Sequence, residues 1–368
     1  MKKMLSLLLS ALAAGFAGAQ SGPTMLVGTY DSPKSEGIYL YDFNNSTGET
    51  SLLSHVKSSN PSFLAVSPDN KFVYAVNENA PGQVSAFSFD KKKKTLTFID
   101  SQSSKGNHPC YITTDKSGKW VIAGNYSSGS LALFPVQKGK LKPAVQVITH
   151  TGSGPDTTRQ KSPHVHATIF KKNTNELYVP DLGTDKVYVY GFNPDRAQIF
   201  RPKIKQIDSR PGSGPRHLDF GKDGKSIYIL HELTGSVTMV RDSGLMRFNV
   251  VQEISALPVY YKGAAGSADI HVSPDGKFLY CSNRGSSNTI AVFSIDARTG
   301  LLTAIGHQST QGVKPRNFSI DPSGNFLLVA NQDSDEIVIF KRDLKSGLLS
   351  DTGKRIAVGK PVCIKWIQ

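Results

Sequence analysis

Cysteine is almost absent from this 368-residue chain, which contains only three. Three scattered cysteines cannot build a disulfide framework, so the class of disulfide-stapled domains is excluded. We expect Cys110, Cys281 and Cys363 to be buried thiols inside strands. No Gly-X-Y period indicates collagen, and an apolar content of 38% excludes a disordered chain.

The sequence also lacks the short motifs of several catalytic and cofactor sites. It contains no G-x-S-x-G nucleophile elbow, no H-E-x-x-H zinc motif, no P-loop and no dinucleotide fingerprint. We therefore expect no cofactor. His164 and His166 could form a metal pair, but no third ligand stands at a suitable spacing, so we expect no metal site.

Long apolar runs are missing except near the start of the chain. Residues 5–17 form an apolar run behind two lysines and overlap an Ala-Gly-Ala sequence. This arrangement predicts a secretory signal peptide over residues 1–19, cleaved before Gln20. An uncleaved membrane anchor is the alternative, but the run is shorter than the ~20 residues that span a bilayer. We expect an exported protein, periplasmic or extracellular, with no membrane contact after cleavage.

Negative charge is scarce, because 29 acidic residues face 43 basic ones and the formal net charge is +14. Such a balance attracts anionic partners. The densest basic run, residues 91–94, stands between two strand patterns and indicates a solvated hairpin tip. No basic stripe is interleaved with aromatic residues, so nucleic acid is not an expected partner.

A tandem repeat is the dominant pattern of the sequence. Six segments begin at positions 61, 109, 163, 215, 267 and 315. Each combines a start residue, usually Pro, with an apolar strand, a Gly/Asp/Asn turn and a second strand that ends in polar residues. Further runs of alternating apolar residues follow in most units. Four strands in about 50 residues is the signature of a propeller blade.

The two ends of the chain supply a seventh unit. Residues 361–367 match a first strand with no second strand after it, and residues 25–30 match a second strand with no first strand before it. Residues 37–43 and 51–56 match the third and fourth strands. We predict an all-β, seven-bladed propeller over residues 20–368, one domain whose N- and C-terminal strands close the ring in one blade.

Propeller connectivity places a candidate site without any motif. The first strand of each blade lines the central channel, so its start and the end of the second strand meet at one channel mouth. The first-strand positions hold Ser62, His164, His166, Arg216, His217, Asp269, Arg316 and Asn317. The second-strand positions hold Tyr30, Asn77, Glu78, Asn125, Asp181, His231, Glu232, Asn283, Arg284, Asn331 and Gln332. Hydrogen bonds between blades explain any single Asn or Ser, but three arginines repel each other unless an anion or an acidic partner is present.

Two further features of this ring suggest chemistry. His164 and His166 share one side of a regular strand, where they could act as a base, bind a ligand or pack. Glu232 could pair with an arginine or act as a general base. The polar loops at residues 150–162 and 255–266 precede first strands, where they either close over the mouth as lids or simply connect blades.

Four segments of the sequence resemble one known family. They are SPHVHA from position 162, GPRHLDF from 214, IHVSPDGKFLYCSNRG from 270 and KPRNFSIDPSGNFLLVANQDSD from 314. Over residues 25–366 the chain is similar to the seven-bladed propeller lactonases. These include bacterial 6-phosphogluconolactonases of propeller type and resemble fungal carboxymuconate-lactonizing enzymes. The resemblance implies a catalytic set of His164, Arg216, Glu232 and Arg284.

The resemblance implies a metal-independent lactonase that acts on a sugar-type or anionic lactone, and we expect it to be a monomer. Water would attack the ring carbonyl with Glu232 or His164 as base. Arg216 and Arg284 would hold an anionic group and the developing oxyanion. The residues expected to bind substrate are His166, His217, Asn283, Arg316 and Gln332. A carboxymuconate-type cycloisomerase and a non-catalytic, exported ligand-binding propeller remain alternatives.

Overall fold

Antiparallel strands form nearly all of the regular structure. The computed structural model describes residues 22–200, 206–244 and 247–368. Within these ranges the single helical element is one 3-10 turn, Gln332–Ser334. No helix among the described residues has the length and hydropathy needed to cross a membrane. The predicted leader, residues 1–19, lies outside the described residues.

The strands form seven sheets, and each sheet is one blade. The strands of the first part of the chain are Thr24–Thr29 (β1), Gly37–Phe43 (β2), Thr50–Lys57 (β3), Phe63–Val66 (β4), Phe72–Asn77 (β5), Gln83–Asp90 (β6), Thr95–Ser103 (β7), Pro109–Thr114 (β8), Trp120–Asn125 (β9), Ser130–Gln137 (β10), Lys140–Leu141 (β11), Gln146–Thr149 (β12), Ile169–Phe170 (β13), Glu176–Asp181 (β14), Lys186–Asn193 (β15), Gln198–Phe200 (β16) and Gln206–Asp208 (β17).

The strands of the remaining part are Pro215–Phe220 (β18), Ser226–His231 (β19), Ser236–Asp242 (β20), Phe248–Ser255 (β21), Ser267–Val272 (β22), Phe278–Asn283 (β23), Thr289–Ile295 (β24), Leu302–Ser309 (β25), Pro315–Ile320 (β26), Phe326–Asn331 (β27), Glu336–Arg342 (β28), Leu349–Ala357 (β29) and Pro361–Ile367 (β30). Blades 1 to 6 follow in chain order and begin at β4, β8, β13, β18, β22 and β26. Blade 7 combines β30 with β1, β2 and β3.

The two ends of the chain close the ring as the sequence predicts. Strand β30 pairs antiparallel with β1, from Thr24 opposite Ile367 to Thr29 opposite Pro361. Strand β2 then pairs with β1, and β3 with β2. The seven-bladed, all-β architecture is therefore confirmed. Because the first and last blades share one sheet, neither leaves an unpaired strand edge at the closure.

Large side chains fill the spaces between neighbouring blades. Tyr228 and Tyr280 occupy the same position of the second strand in blades 4 and 5, and both are fully buried. Their hydroxyls donate to carbonyl oxygens of the next blade, to Gly300 over 2.8 Å and to Gly347 over 2.7 Å. Each ring thus buries apolar area and satisfies its hydroxyl across a blade boundary. The core lies between the sheets, and this arrangement leaves the channel mouth to polar side chains.

The last residue of every second strand is polar and buried. These residues are Thr29, Asn77, Asn125, Asp181, His231, Asn283 and Asn331. The Asn283 amide donates to the carbonyl of Ala256 over 2.7 Å, and its oxygen accepts from the Ser267 hydroxyl over 2.6 Å. Asn125 and Asn331 make the equivalent bond to Ser104 and Thr310. Asn283 therefore links its own blade to the loop that arrives from blade 4, and its role in substrate binding stays a prediction.

The residue after five of the seven second strands and the second residue of several first strands turn toward the channel mouth. In blades 2, 4 and 6 the pairing of the first two strands shifts register at Cys110, Arg216 and Arg316. A bulge of this kind re-aims a side chain without ending the sheet. The bulges therefore place these three side chains at the centre of the ring rather than between blades.

Blade 3 departs from the predicted template. The expected regular strand, with His164 and His166 on one face, is wrong, because β13 begins only at Ile169. A single antiparallel bridge between Val165 and Asp181 precedes it. The two histidines therefore lie on either side of one paired residue in an otherwise irregular segment.

Candidate functional site

A polar cavity of about 210 Å³ opens at the channel mouth. Its lining residues are Tyr30, Glu78, Cys110, Tyr126, Arg159, His166, Glu232, Arg284 and Arg316. Five of them, Tyr30, Glu78, Tyr126, Glu232 and Arg284, directly follow a second strand. Cys110 and Arg316 stand at first-strand bulges, and Arg159 comes from the long loop before blade 3. With His166 from blade 3, every blade therefore contributes at least one side chain to the same small volume, and blade 2 contributes two.

Three arginines converge on the carboxylate of Glu232. Arg216 donates through Nε to Oε2 over 2.9 Å, and an Nη2 atom of Arg284 lies 2.9 Å from the same oxygen. Arg159 donates through Nη2 to Oε1 over 2.7 Å. Arg159 also donates to the Tyr126 hydroxyl over 3.2 Å. Both oxygens of Glu232 are thus occupied by guanidinium groups.

This environment decides the protonation state of Glu232. Burial alone would raise its pKa, but Arg284, Arg216 and Arg159 together hold it well below the usual range. A carboxylate stabilised so strongly as an anion is a poor proton acceptor. Of the two roles considered for Glu232, the ion-pair role is the one that this geometry favours.

Arg216 is the deepest cation of the group, with 1% of its surface exposed. Burial, followed by the neighbouring charges of Arg284 and Arg316, lowers its pKa to about 10, so it stays protonated at neutral pH. Its guanidinium also donates to the carbonyl oxygen of Ala268. Arg216 therefore supports the site from below rather than lining the cavity.

A second carboxylate, Glu78, faces the same cavity in a different setting. Its Oε2 accepts from the Tyr30 hydroxyl over 2.8 Å and from the Ser62 hydroxyl over 2.5 Å. Arg316 approaches this oxygen to 3.8 Å, and its guanidinium lies 5.2 Å from the centre of the Tyr30 ring. Among the described residues no hydrogen bond reaches Oε1. Glu78 therefore keeps one oxygen available to a molecule in the cavity.

The histidine that lines the cavity is His166, whereas the sequence motif points to His164. The His166 Nε2 atom lies 4.0 Å from Oε2 of Glu232, and the side chain is 5% exposed. Burial, then Arg216, His217 and Arg316, keep its pKa well below the usual value, so the ring is neutral at pH 7. His164 stacks on the Tyr126 ring with 4.5 Å between centroids and is partly exposed.

Two other residues predicted to bind substrate lie beside the cavity rather than on its wall. His217 is buried below it, with Nδ1 2.8 Å from Oδ1 of Asp269 and Nε2 3.3 Å from a nitrogen of Arg216. Burial, then Arg216, lowers the pKa of His217 to about 4. Gln332 is buried in the 3-10 turn and donates to Asp333 over 3.0 Å. Neither side chain is part of the cavity lining.

Five lining residues were not among those predicted to catalyse or to bind substrate: Tyr30, Glu78, Cys110, Tyr126 and Arg159. Tyr30 and Glu78 carry the same positional signal as Glu232, because each directly follows a second strand. Arg159 was missed altogether, and no repeat signal marks it, since it belongs to a non-repetitive loop. Cys110 is buried as expected, but it also lines the cavity, where burial raises the pKa of its thiol and keeps it protonated.

An adjoining hollow of about 360 Å³ extends the site outward. It shares Arg159, Glu232 and Arg284 with the inner cavity and adds Lys314, which lies 3.3 Å from Asp333. Counting Arg216 below the floor, four arginines face two glutamates around the inner cavity. This leaves an excess of two positive charges in a mostly buried region. The site can therefore bind an anion and stabilise negative charge that develops on an oxygen. Among the described residues, no group of three His, Cys, Asp or Glu side chains is arranged to hold a metal ion.

The chain is similar along nearly its whole length to known proteins. The family model described as a seven-bladed β-propeller lactonase matches residues 24–366. A protein of Formosa agariphila named 6-phosphogluconolactonase is 41% identical over 344 residues, which cover 91% of this chain and 96% of that protein.

Two solved structures have the same fold. One, from Bacteroides fragilis, is described as a candidate 6-phosphogluconolactonase. It shares 44% identity with a TM-score of 0.90 and covers 96% of this chain and 99% of its own. The other, a periplasmic gluconolactonase of Pseudomonas aeruginosa, shares 35% identity with a TM-score of 0.90 and covers 94% and 99%. The chain therefore belongs to the seven-bladed β-propeller lactonase family, which confirms the enzyme class predicted from its sequence.

Proposed function

We propose that this lactonase hydrolyses an anionic sugar lactone, of the 6-phosphogluconolactone type, in the cavity at the channel mouth. The observation that carries the proposal is the excess of arginine over glutamate around that cavity. Like charges held this close in a poorly solvated region repel each other. An anionic substituent of the substrate would relieve that repulsion, whereas a neutral lactone would not.

The arginines that a substrate can reach would bind its anionic group. Arg159 is 40% exposed and Arg284 13% exposed, and both line the inner and the outer hollow. A charge-assisted hydrogen bond contributes about 1.5–3 kcal/mol. Two such arginines would account for a large part of the affinity for an anionic lactone.

The chemical step is addition of water to the ring carbonyl. As the water oxygen bonds to the carbonyl carbon, negative charge moves to the carbonyl oxygen, where the neighbouring guanidinium groups stabilise it. Glu78 takes the proton of the attacking water, because its Oε1 is open to the cavity whereas both oxygens of Glu232 are occupied. The bond between the carbonyl carbon and the ring oxygen then breaks, and the leaving oxygen takes the proton held by Glu78, which gives the hydroxy acid and restores the Glu78 carboxylate.

The proposal includes export, because residues 1–19 have the pattern of a signal peptide. The similar Pseudomonas aeruginosa protein is described as periplasmic. Our proposal is therefore an enzyme that meets its lactone outside the cytoplasm. That location makes unphosphorylated and oxidised sugar lactones worth testing beside the phosphorylated one.

The test compares the hydrolysis of 6-phosphoglucono-δ-lactone with that of neutral glucono-δ-lactone. Arg159→Gln and Arg284→Gln should each lower kcat/KM for the phosphorylated lactone by roughly ten- to a hundredfold, with a smaller effect on the neutral one. Arg241→Gln is the matched control, because Arg241 pairs with Asp223 outside this cavity. Equal losses on both lactones would contradict anion binding at this site. Incorporation of ¹⁸O from labelled water into the product carboxylate would distinguish hydrolysis from cycloisomerisation.

A further inference from the structure

Asp185 lies outside the cavity, yet its carboxylate binds the loop that carries Arg159 and the loop that leads into Arg216. The residue stands in the turn between β14 and β15, in the left-handed region with φ 55°, and is 7% exposed. Its Oδ1 accepts from the side-chain amide of Gln160 over 2.7 Å and from the backbone N–H of Gly214 over 2.8 Å. Its Oδ2 accepts from the N–H of Gly212 over 2.7 Å.

The first of these loops carries Arg159. Its neighbour Gln160 is completely buried and donates from the same Nε2 to the carbonyl oxygen of Leu182 over 2.8 Å. The Gln160 Oε1 accepts from the N–H of Asp156 over 3.1 Å, and the Gln160 N–H donates to the Asp156 carbonyl over 2.8 Å. The loop is therefore folded around Gln160, and Asp185 fixes Gln160. The backbone position of Arg159 is therefore fixed by the hydrogen bonds of its neighbour Gln160.

The second loop leads into Arg216. Gly212 and Gly214 both have positive φ, 82° and 63°, and a Cβ on Gly214 would come within 2.7 Å of Leu233. The two N–H groups that these glycines present to Asp185 directly precede Pro215 and the bulge at Arg216. The direction from which Arg216 enters the site thus depends on the same carboxylate.

We propose that Asp185 is a positioning residue that aligns Arg159 and Arg216 on opposite oxygens of Glu232 and thereby sets the preference of the enzyme for anionic lactones. The inference rests on the proposed function, since it concerns the anion-binding role of the same arginines. Asp185 itself touches neither arginine. It acts through Gln160 on one side and through the glycine loop on the other.

Blade 6 supplies a matched control at the equivalent position. Asp335 stands four residues after the end of its second strand, as Asp185 does, and has φ 54°. Its Oδ1 accepts from the N–H of Lys360 over 3.0 Å, in the loop before the first strand of blade 7. That strand carries Val362 where blade 4 carries Arg216. Asp335→Asn therefore repeats the chemical change without disturbing an arginine of the site.

The experiment measures kcat and KM of the full chain for 6-phosphoglucono-δ-lactone and glucono-δ-lactone. In Asp185→Asn one acceptor oxygen becomes an NH₂ group that faces an N–H donor, and the remaining oxygen loses its charge, so the hydrogen bonds to both loops should weaken. The ratio of kcat/KM values, phosphorylated to neutral, should fall by roughly tenfold and by up to about a hundredfold. The change should appear mainly in KM, and Asp335→Asn should change the ratio less than about twofold. Gln160→Met, which keeps the volume and removes the hydrogen bonds, should reproduce part of the loss.

A readout independent of turnover is the binding of inorganic phosphate by titration calorimetry. Asp185→Asn should weaken it relative to the wild-type protein, and Asp335→Asn should not. If the wild-type enzyme shows no preference for the phosphorylated lactone and does not bind phosphate, the proposed function itself fails. If the wild-type enzyme shows the preference and Asp185→Asn retains it, only the role of Asp185 is overturned. Equal losses on both lactones in Asp185→Asn would also overturn it, because they indicate a general loss of structure.

Discussion

Arg216 donates through Nε to Oε2 of Glu232 over 2.9 Å, and both side chains are almost completely buried. Burying two charges is costly unless each is well paired. The pair is not isolated, since Arg159 and Arg284 complete the coordination of the same carboxylate. Glu232 therefore holds three cations in place before any substrate arrives, which is the preorganisation that electrostatic stabilisation of an oxyanion requires.

Removing the charge of Glu232 should therefore cost stability as well as activity. In Glu232→Gln three arginines lose their common partner, and breaking a buried pair typically costs about 3–5 kcal/mol. We expect a loss of free energy of unfolding of this order in urea denaturation. Phosphate should recover part of the loss, because an anion can replace the missing carboxylate. A Glu232→Gln variant as stable as the wild-type protein would show that the cluster contributes nothing to folding.

Glu78→Gln should instead reduce activity much more than stability. Glu78 is held by the hydroxyls of Tyr30 and Ser62, and its nearest guanidinium is 3.8 Å away, so its neutralisation should affect the fold less. If Glu78 accepts the proton of water, kcat falls by about 10²–10⁴-fold with little change in KM. Steady-state kinetics of Glu78→Gln beside Glu232→Gln measure this directly. If kcat were unchanged in Glu78→Gln, Glu78 would not be the base, and His166 would be the next candidate.

The two histidines of blade 3 make a matched pair of variants. His166 lines the cavity and contacts the Glu232 cluster, whereas His164 stacks on the Tyr126 ring and is not part of the lining. We expect His166→Asn to lower kcat/KM by at least about tenfold and His164→Asn to change it only a few-fold. A larger loss of kcat/KM in His164→Asn than in His166→Asn would instead make His164 the functional histidine, as the family motif indicates.

The buried His231 should make stability depend on pH. Burial, then Arg210, lowers its pKa to about 3, whereas a histidine of an unfolded chain titrates near 6.5. As the pH falls below about 6.5, the unfolded chain takes up the proton first, so the free energy of unfolding decreases. The loss from this group is about 1.4 kcal/mol per pH unit until the pH approaches 3.

His231→Asn isolates that contribution, because four other blades carry Asn at this position: Asn77, Asn125, Asn283 and Asn331. Urea denaturation at pH 7 and pH 5 should show that the wild-type protein loses about 2 kcal/mol more than the variant. Parallel pH profiles of the two proteins would show that His231 does not titrate with folding.

Removal of residues 361–368 should destabilise the whole molecule. Strand β30 pairs with β1 along its length, so its loss leaves blade 7 with three strands and an open edge. We expect lost cooperativity in thermal unfolding and association in size-exclusion chromatography. Deletion of the exposed Gln368 alone is the control and should have little effect. A truncated protein with an unchanged Tm would mean that closure of the ring is dispensable.

Export is tested by the mass of the mature protein from its native host. Cleavage before Gln20 gives a chain that lacks residues 1–19, and Ala17→Phe should block it, because signal peptidase sites require small residues. A full-length mass in the cytosolic fraction would contradict the signal peptide and favour a cytoplasmic lactone as substrate.

The sequence by itself determined the architecture of this protein. Strand patterns and turns are local, so six complete units and two partial ones were enough to predict seven blades and the pairing of β30 with β1. The same repeat also marked Arg216, Glu232, Arg284 and Arg316, because each has a fixed place relative to a strand end. These features depend on a chain segment and its nearest neighbours, which is the information that a periodic sequence carries.

Only the tertiary structure decided which histidine and which loop residue reach the cavity. Sixteen positions separate Pro215 from His231, but eighteen separate Pro163 from Asp181. The template therefore aligned His164 with Arg216, whereas the bridge between Val165 and Asp181 puts His166 there. The two extra residues of blade 3 could be accommodated at several places between Pro163 and Asp181. The register of the paired strands decides which place is used, and register is a property of both strands together. Arg159 lies on a loop without period, and its position depends on the hydrogen bond from the neighbouring Gln160 to Asp185 in a distant turn, which no local pattern reports.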